Sequence, residues 1–410
     1  MNSVKLNDIA TIYNGNSINK SVKQQKYMND VAGWNYIATK DVDFDGTVTY
    51  KNGVVIPFSE TKFKIAPAGT VFVCSEGGSA GRKTAIITED VCFGNKLFAI
   101  VNSNKLFLEK YVYYYTRFEG FLKQFKLLAN TLMGGISSKN FGNIEIPLPP
   151  LPEQERIVTR IEELFSELDK AEETLQTTKQ QLAVYRQAVL KEAFEGKLTN
   201  STISGKRRLG EYIEKPRYGT SKKCGYDTGK EYTAVIRIPN INAKQGIIDH
   251  SDLKYAKFDV DELKLLSLEE EDILIIRSNG SVSIVGMAAM VRSCDINDTF
   301  AGYLIRLRIH SKKELLPKYL LHFLSSYEAR SYIERIAKST SGVNNINAQE
   351  IARLEIPVTS MQEQIAIVTE IESRLSVCES IEQPVDTALA QADAMRQSIL
   401  KQAFEGGFNQ

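Results

Sequence analysis

The side chains of this sequence that could do chemistry sit in short polar corners and glycine-rich loops, and their types suit contact with a phosphate polymer better than bond-making. Lys and Arg neutralise phosphates, Ser, Thr and backbone N–H groups hydrogen-bond them, and Arg or Asn can grip a base edge at two points. Early in the chain, YIATKDV (36–42), GTVFVCSEGGSAGR (69–82) with the following lysine, and TLMGGISSKNFGNIEIP (131–147) offer Thr39, Lys40, Ser79, Arg82, Lys83, Ser138 and Lys139. Later, VIRIPNI (235–241), EDILIIRSNGSVSIVG (271–286) and TSGVNNINAQEIARLEIP (340–357) offer Arg237, Asn240, Arg277, Asn279, Ser281, Asn344 and Asn345. These two sets are the candidate DNA-contacting residues. Gly77, Gly78, Gly81 and Gly280 would let the backbone come close to a phosphate.

Catalytic constellations are poorly supplied. GGSAGRKT (77–84) approaches a nucleotide-binding loop, but Arg82 stands where GxxxxGK(S/T) needs glycine. An amino-methyltransferase would need an (N/D)PP(Y/F) tetrapeptide, and Pro149–Pro150 lies instead in LPPL, ahead of a helix. His250, His310 and His322 are not paired at a metal-ligand spacing, so no metal site is expected. The run Glu269–Asp272 reads as a solvated turn before the strand ILII. Tyr113–Tyr115 read as a core-facing helical patch rather than base-stacking residues. Five cysteines, odd in number and far apart, exclude a disulfide framework and fit a reducing cytoplasm. No apolar run approaches the ~18 residues that would span a bilayer.

The elements that hold these corners are set by a duplication. Over 54 positions, Glu145–Leu198 and Glu355–Phe408 share 22 identities without a gap, among them EIP, EQ, IVT, IE, RQ, LK and AFEG. Each copy reads as a long helix with a heptad seam. In the first, Ile161, Leu168, Leu175, Leu182 and Val189 take the a positions, and Leu164, Ala171, Thr178 and Tyr185 the d positions. In the second, Ile371, Cys378, Val385, Ala392 and Ile399 take a, and Arg374, Ile381, Ala388 and Met395 take d. Pro384 falls inside the second copy, where a kink or break is expected. A lone helix of that length would expose its seam, so the two copies are expected to pack antiparallel.

The stretches between the helices are β-rich and repeat more faintly, in the same order of motifs. The chain therefore reads as block (1–150), helix (151–198), block (199–358), helix (359–410). Net charge alternates accordingly, at +5, −3, +4 and −5. The fold class is α+β: two β-rich blocks separated by two long antiparallel helices, a coiled-coil-like spacer with an internal pseudo-two-fold repeat. Two related but unlike readers on a rigid spacer suit a pseudo-two-fold polymer with two unlike targets, which duplex DNA is.

IPLPPLPEQERIV at 146–158, the helix closing in RQAVLKEAFEGKL and its second copy closing in RQSILKQAFEGGF resemble the specificity subunit of type I restriction–modification systems, over essentially the whole chain. In the second copy PLPPLPEQ becomes PVTSMQEQ (357–364). The resemblance implies that the blocks are target recognition domains, each reading half of a bipartite, asymmetric DNA site. It implies docking of two modification (methyltransferase) subunits that bind S-adenosylmethionine and methylate adenine N6, with motor–nuclease restriction subunits using ATP and Mg. It leaves this chain without catalysis or a cofactor of its own. A stand-alone DNA-binding regulator with the same readers and a coiled-coil scaffold binding only protein are the competing readings.

Overall fold

The computed structural model describes residues 3–28, 32–129, 135–200, 203–337 and 342–408. Positions 131–134 and 340–341 of the two closing polar loops thus lie outside the described residues. The chain divides into two compact units, Met1–Leu175 with Thr387–Gln410, and Gln176–Asp386. Each unit takes one block and portions of both long helices.

In the first unit an antiparallel sheet runs in the order Thr11–Asn14, Leu97–Val101, Val71–Cys74, Thr84–Ile86. Val71–Cys74 is buried at every residue, as its unbroken apolar run requires of a strand covered on both faces. A second sheet orders Val55–Pro57, Gly33–Ile37, Val91–Phe93 and Ile65–Ala66, with Gly33–Ile37 parallel to Val91–Phe93. The helices Glu109–Arg117 and Glu119–Leu128 bury Tyr111, Val112, Tyr115, Phe121 and Phe125; of the tyrosine patch Tyr115 faces the core, while Tyr113 and Tyr114 pack against its edge half-buried.

The second unit repeats this plan. Arg217–Tyr218, Leu304–Leu307, Ile273–Ile276 and Ala288–Met290 form the antiparallel sheet. Lys254–Lys257, Tyr232–Ile236 and Thr299–Phe300 form the mixed one, with Tyr232–Ile236 parallel to Thr299–Phe300. The repeated EIP closes each block as a strand: Glu145–Pro147 pairs with Ser3–Lys5, and Glu355–Val358 with Gly205–Arg208.

The duplicated residues turn out to be a socket built twice. Gln154 is fully buried; its Oε1 accepts from the Leu108 N–H (2.9 Å) and its Nε2 donates to the Leu106 and Pro149 carbonyls (3.2 and 2.8 Å). Gln364 does the same for the Leu316 N–H and the Glu314 and Thr359 carbonyls. Tyr111 donates to the Pro147 carbonyl and Tyr319 to that of Pro357. Around these, Ile157, Val158 and Ile161 share one core with Leu400, Ala403 and Phe404. Ile367, Val368 and Ile371 share another with Leu190, Ala193 and Phe194. Phe404 stands edge-on to Tyr111 and Tyr115 (5.3 and 5.1 Å), as Phe194 does to Tyr319 and Phe323 (5.1 Å each).

The long helices run Leu151–Phe194 and Met361–Phe404, and they lie side by side and antiparallel within each unit. In the first, Arg396 forks onto Glu172 (2.9 and 2.6 Å) and reaches Asp169 (2.6 Å). In the second, Arg186 meets Glu382 at 3.1 Å and Lys179 meets Asp386 at 2.7 Å. Glu172–Arg396 and Glu382–Arg186 are the same pair twice under the repeat. The a positions carry the burial: Ile161, Leu168, Val189, Ile371, Cys378, Val385 and Ala392 are buried, and Leu175, Leu182 and Ile399 partly so.

Two expectations about the helices need correction. The d positions do not complete the seam: Leu164 is only half-buried, while Ala171, Tyr185, Ile381 and Met395 are exposed. The e positions replace them, with Phe165, Glu172, Arg186, Leu375, Glu382, Leu389 and Arg396 covered to some degree. The contact stripe leans toward e because long Arg and Glu stems can cover apolar surface while their heads pair. Nor does Pro384 break the second helix, which continues through it to Phe404. The proline is exposed, and its missing N–H leaves the Ser380 carbonyl without that intrahelical donor.

Candidate nucleic-acid interface

In the second block, five of the candidate residues come together. Ser278–Asn279 pairs antiparallel with Asn344–Asn345, making a two-stranded ribbon directly beyond the buried strand Ile273–Ile276. Asn344 Nδ2 donates to the Gly280 carbonyl (2.9 Å), and Asn279 Oδ1 accepts from the Ser281 N–H (2.9 Å), which shapes the tip. Arg277 lies at the root with its guanidinium 4.6 Å from the Tyr218 ring centre and its Nε donating to Asn345 Oδ1 (3.2 Å).

In the first block the corner and the glycine loop converge on Phe44, a side chain that sequence reasoning passed over. It is 52% exposed, and the Arg82 guanidinium and the Lys83 ammonium each lie 5.1 Å from its ring centre. Lys83 also donates to the Thr39 carbonyl (3.4 Å). Ser79 closes the loop by accepting from the Arg82 and Lys83 N–H groups (3.0 and 3.2 Å). Lys40 is exposed beside it. Lys23, 5.6 Å from the Tyr36 ring centre, is a fourth cation near this patch; burial and then the Lys40 charge push its ammonium below its ordinary pKa. Ser138 and Lys139 begin a short helix capped by Ser137, and the Ile136 N–H bonded to the Ser75 carbonyl (3.2 Å) ties that segment to the foot of the same loop. Gly77 has a left-handed φ of +83° and open space around it, whereas Gly81 is a packing glycine: a Cβ there would meet the Phe125 ring at 2.9 Å.

Asn240 must be withdrawn from the contact set. It is 1% exposed; its Oδ1 accepts from the Arg237 N–H and its Nδ2 donates to the Asp249 and Asp252 carbonyls. It occupies the place that Asp41 holds in the first block, where Asp41 accepts from the Ala38 N–H (2.9 Å). A buried cap and a base-reading amide look alike in sequence. Arg237 stays partly accessible but is occupied by Asp252 (2.9 Å). The acidic run is not simply solvated either: Asp272 is buried and grips Arg308 with Glu269.

The fold also brings His250 to a pair of carboxylates, Asp295 and Asp298, far from it in sequence. His250 Nε2 lies 2.8 Å from Asp295 and 3.2 Å from Asp298. Burial raises the Asp298 carboxyl to about 6, with His250 opposing. One imidazole and two carboxylates are a divalent-cation donor set. Asp295, however, already neutralises Arg292, and the distances are those of hydrogen bonds.

The assembled patches present cations, amides and stacked aromatics on exposed corners, the side-chain set for phosphate and base-edge contact. Among the described residues no helix is long and apolar enough to cross a membrane. Residues 1–179 match the family model of the type I restriction modification DNA specificity domain. The chain is 28% identical over 355 residues to the type I restriction enzyme EcoKI specificity subunit of Escherichia coli (strain K12), covering 84% of this chain and 75% of that one. It is 28% identical over 353 residues to the StySPI specificity subunit of Salmonella potsdam, with the same coverages of 84% and 75%. In fold it is similar to a chain solved in work on assembly and conformational transition of the type I restriction–modification system (17% identity, TM-score 0.74, 98% and 97% covered). It is similar too to the HsdS subunit from Thermoanaerobacter tengcongensis (17% identity, TM-score 0.57, 99% and 96% covered). With a duplicated helix-and-socket scaffold, a specificity-domain model matched over residues 1–179 and relatives 28% identical across most of its length, the chain is similar in sequence and in fold to the specificity subunits of type I restriction–modification systems.

Proposed function

We propose that this chain is the non-catalytic reader of a type I restriction–modification complex and that each block reads one half of a bipartite, asymmetric DNA site. Two modification subunits, carrying S-adenosylmethionine for adenine-N6 methylation, would dock on the helix scaffold. Restriction subunits using ATP and Mg would complete the nuclease form. The long helices would hold the two readers apart and so set the spacer between half-sites.

One observation carries this reading. The joints between block and helix are the same twice, down to Gln154 and Gln364, while the exposed corners differ. Thr39 and Lys40 in one block answer to Ile238 and Pro239 in the other, and the first block sets two cations on Phe44 where the second sets one arginine, guided by Asn345, on Tyr218. Equal mounts with unlike tips are what two different half-sites demand. Phe44, Arg82, Lys83, Thr39, Lys40 and Lys23 are assigned to the first half-site, with Ser79, Ser138 and Lys139 at its margin. Arg277, Asn279, Ser281, Asn344 and Asn345 are assigned to the second, with Arg237 at its margin.

The test is to reconstitute the chain with a modification subunit, map methylated adenines in exposed DNA, and then exchange residues 1–150 for another such block. The expected result is a change in one half of the motif with the other half and the spacer kept. Changes scattered over both halves, or methyl transfer by the chain alone, would refute the assignment.

A further inference from the structure

Arg277 is the best-aimed cation in the second block. Its backbone is pinned on both sides, the N–H donating to the Tyr303 carbonyl (2.9 Å) and the carbonyl accepting from the Ile346 N–H (2.8 Å). Its side chain lies over Tyr218, whose own hydroxyl is fixed by accepting from the Ala348 N–H (2.8 Å). Nε is held by Asn345. Nη1 reaches the Gly302 carbonyl only at 3.5 Å, and Nη2 has no hydrogen-bond partner among the described residues. Arg237, Arg292, Arg308 and Arg330 of the same block each meet a carboxylate within 3.3 Å. Arg277 instead has an aromatic platform and an amide, which orient a guanidinium without consuming its outer donors.

The ribbon beside it has the cross-section for a groove. Two antiparallel strands fit the B-DNA major groove, about 12 Å wide. The turn at Gly280 is bare, with nothing within 4 Å of where a Cβ would stand. We propose that the ribbon Ser278–Asn279/Asn344–Asn345 enters the major groove of the second half-site and that Arg277 reads a guanine there, donating two hydrogen bonds to O6 and N7. Tyr218 and Asn345 are its positioning residues. A phosphate contact needs only charge, which a loosely held lysine supplies; a pre-oriented planar fork matches a base edge. This rests on the assignment of the second block to a half-site.

The experiment uses the full chain reconstituted with its modification subunit and a pool of duplexes in which each position of the mapped motif is varied. The unaltered complex should require guanine at one position of the second half-site. Arg277→Ala should reduce that preference about 10- to 100-fold and leave the first half-site unchanged. Arg277→Lys, which keeps a cation over Tyr218, should lose the same preference while retaining the dependence of binding on salt. Tyr218→Leu should relax the same position. Uniform weakening over all sequences with a salt slope shallower by about one would make Arg277 a phosphate contact and overturn the proposal. An unchanged motif, or a second half-site without guanine, would overturn it as well. Bipartite reading is judged separately by the block exchange, so it can survive the loss of this assignment.

Discussion

Replacing Gln154 with leucine should loosen the first unit by an amount the structure lets one work out. Leucine has nearly the same volume, so no cavity opens. Three hydrogen bonds are lost, and one N–H and two carbonyls, that of Pro149 buried and the others partly so, are left without that partner. At about 1 kcal/mol for each bond the loss is about 3 kcal/mol, and more if the Leu108 N–H finds no water. Trp34, the one tryptophan of the sequence, lies in the strand Gly33–Ile37 of the same unit and packs edge-on to Phe58 at 4.9 Å. Its fluorescence reports this unit during urea unfolding. With a urea slope of about 2.5 kcal/mol per molar, the midpoint should fall by about 1.2 M at unchanged slope. Gln364→Leu, which loses three bonds of 2.9, 2.9 and 3.0 Å, should show a comparable loss by far-ultraviolet circular dichroism. A shift below about 0.3 M for Gln154→Leu would mean that the buried glutamine is not what fastens helix to block.

Pro384→Ala should stabilise the chain by about 1–3 kcal/mol, because the substitution returns an N–H to the Ser380 carbonyl on an exposed helix face; a lower melting temperature would contradict this. Beside His322 and Lys318 the Glu372 carboxyl is held down to about 2, so its contribution is fully present above the ordinary glutamate pKa and disappears as pH falls from about 4.5 toward 2. The stability difference between the unaltered chain and Glu372→Gln should therefore close as pH falls below about 4.5; a difference that widens in acid would reverse the sign of the argument.

The duplication made the scaffold legible. Gap-free identity over both helices, breakers ahead of Leu151 and a glycine after each Phe-Glu pair mark the helix limits closely. The heptad reading caught the a positions because apolar side chains there have no other use. It misplaced the flank, since Glu172, Arg186, Glu382 and Arg396 contribute as ion pairs whose stems cover the seam, and hydrophobic periodicity is blind to that. The EQ of each repeat stood out only as a shared identity; the fold alone shows Gln154 and Gln364 turned inward. For the contact residues, the loops were found because glycine, serine and asparagine cluster there. Individual roles were not, because Asn240 as a buried cap and Asn345 as an arginine guide are the same residue type in similar loops. Phe44 gave a usable signal, an aromatic in a turn (DFDG) that needs none. The His250–Asp295–Asp298 cluster gave none, being assembled from distant stretches.

Phe404 belongs to the second copy yet beds in the first block, and Phe194 of the first copy beds in the second. Gene order and packing order are thus out of step by half a turn of the duplication. A whole block exchanged between two such chains therefore carries away neither the aromatic that beds in it nor the glutamine that fastens it, since Phe404 and Gln154 lie outside block 1–150 and Phe194 and Gln364 outside block 199–358. On the proposed reading, base preference would travel with the block as a drill bit does, while the shank that grips it stays in place.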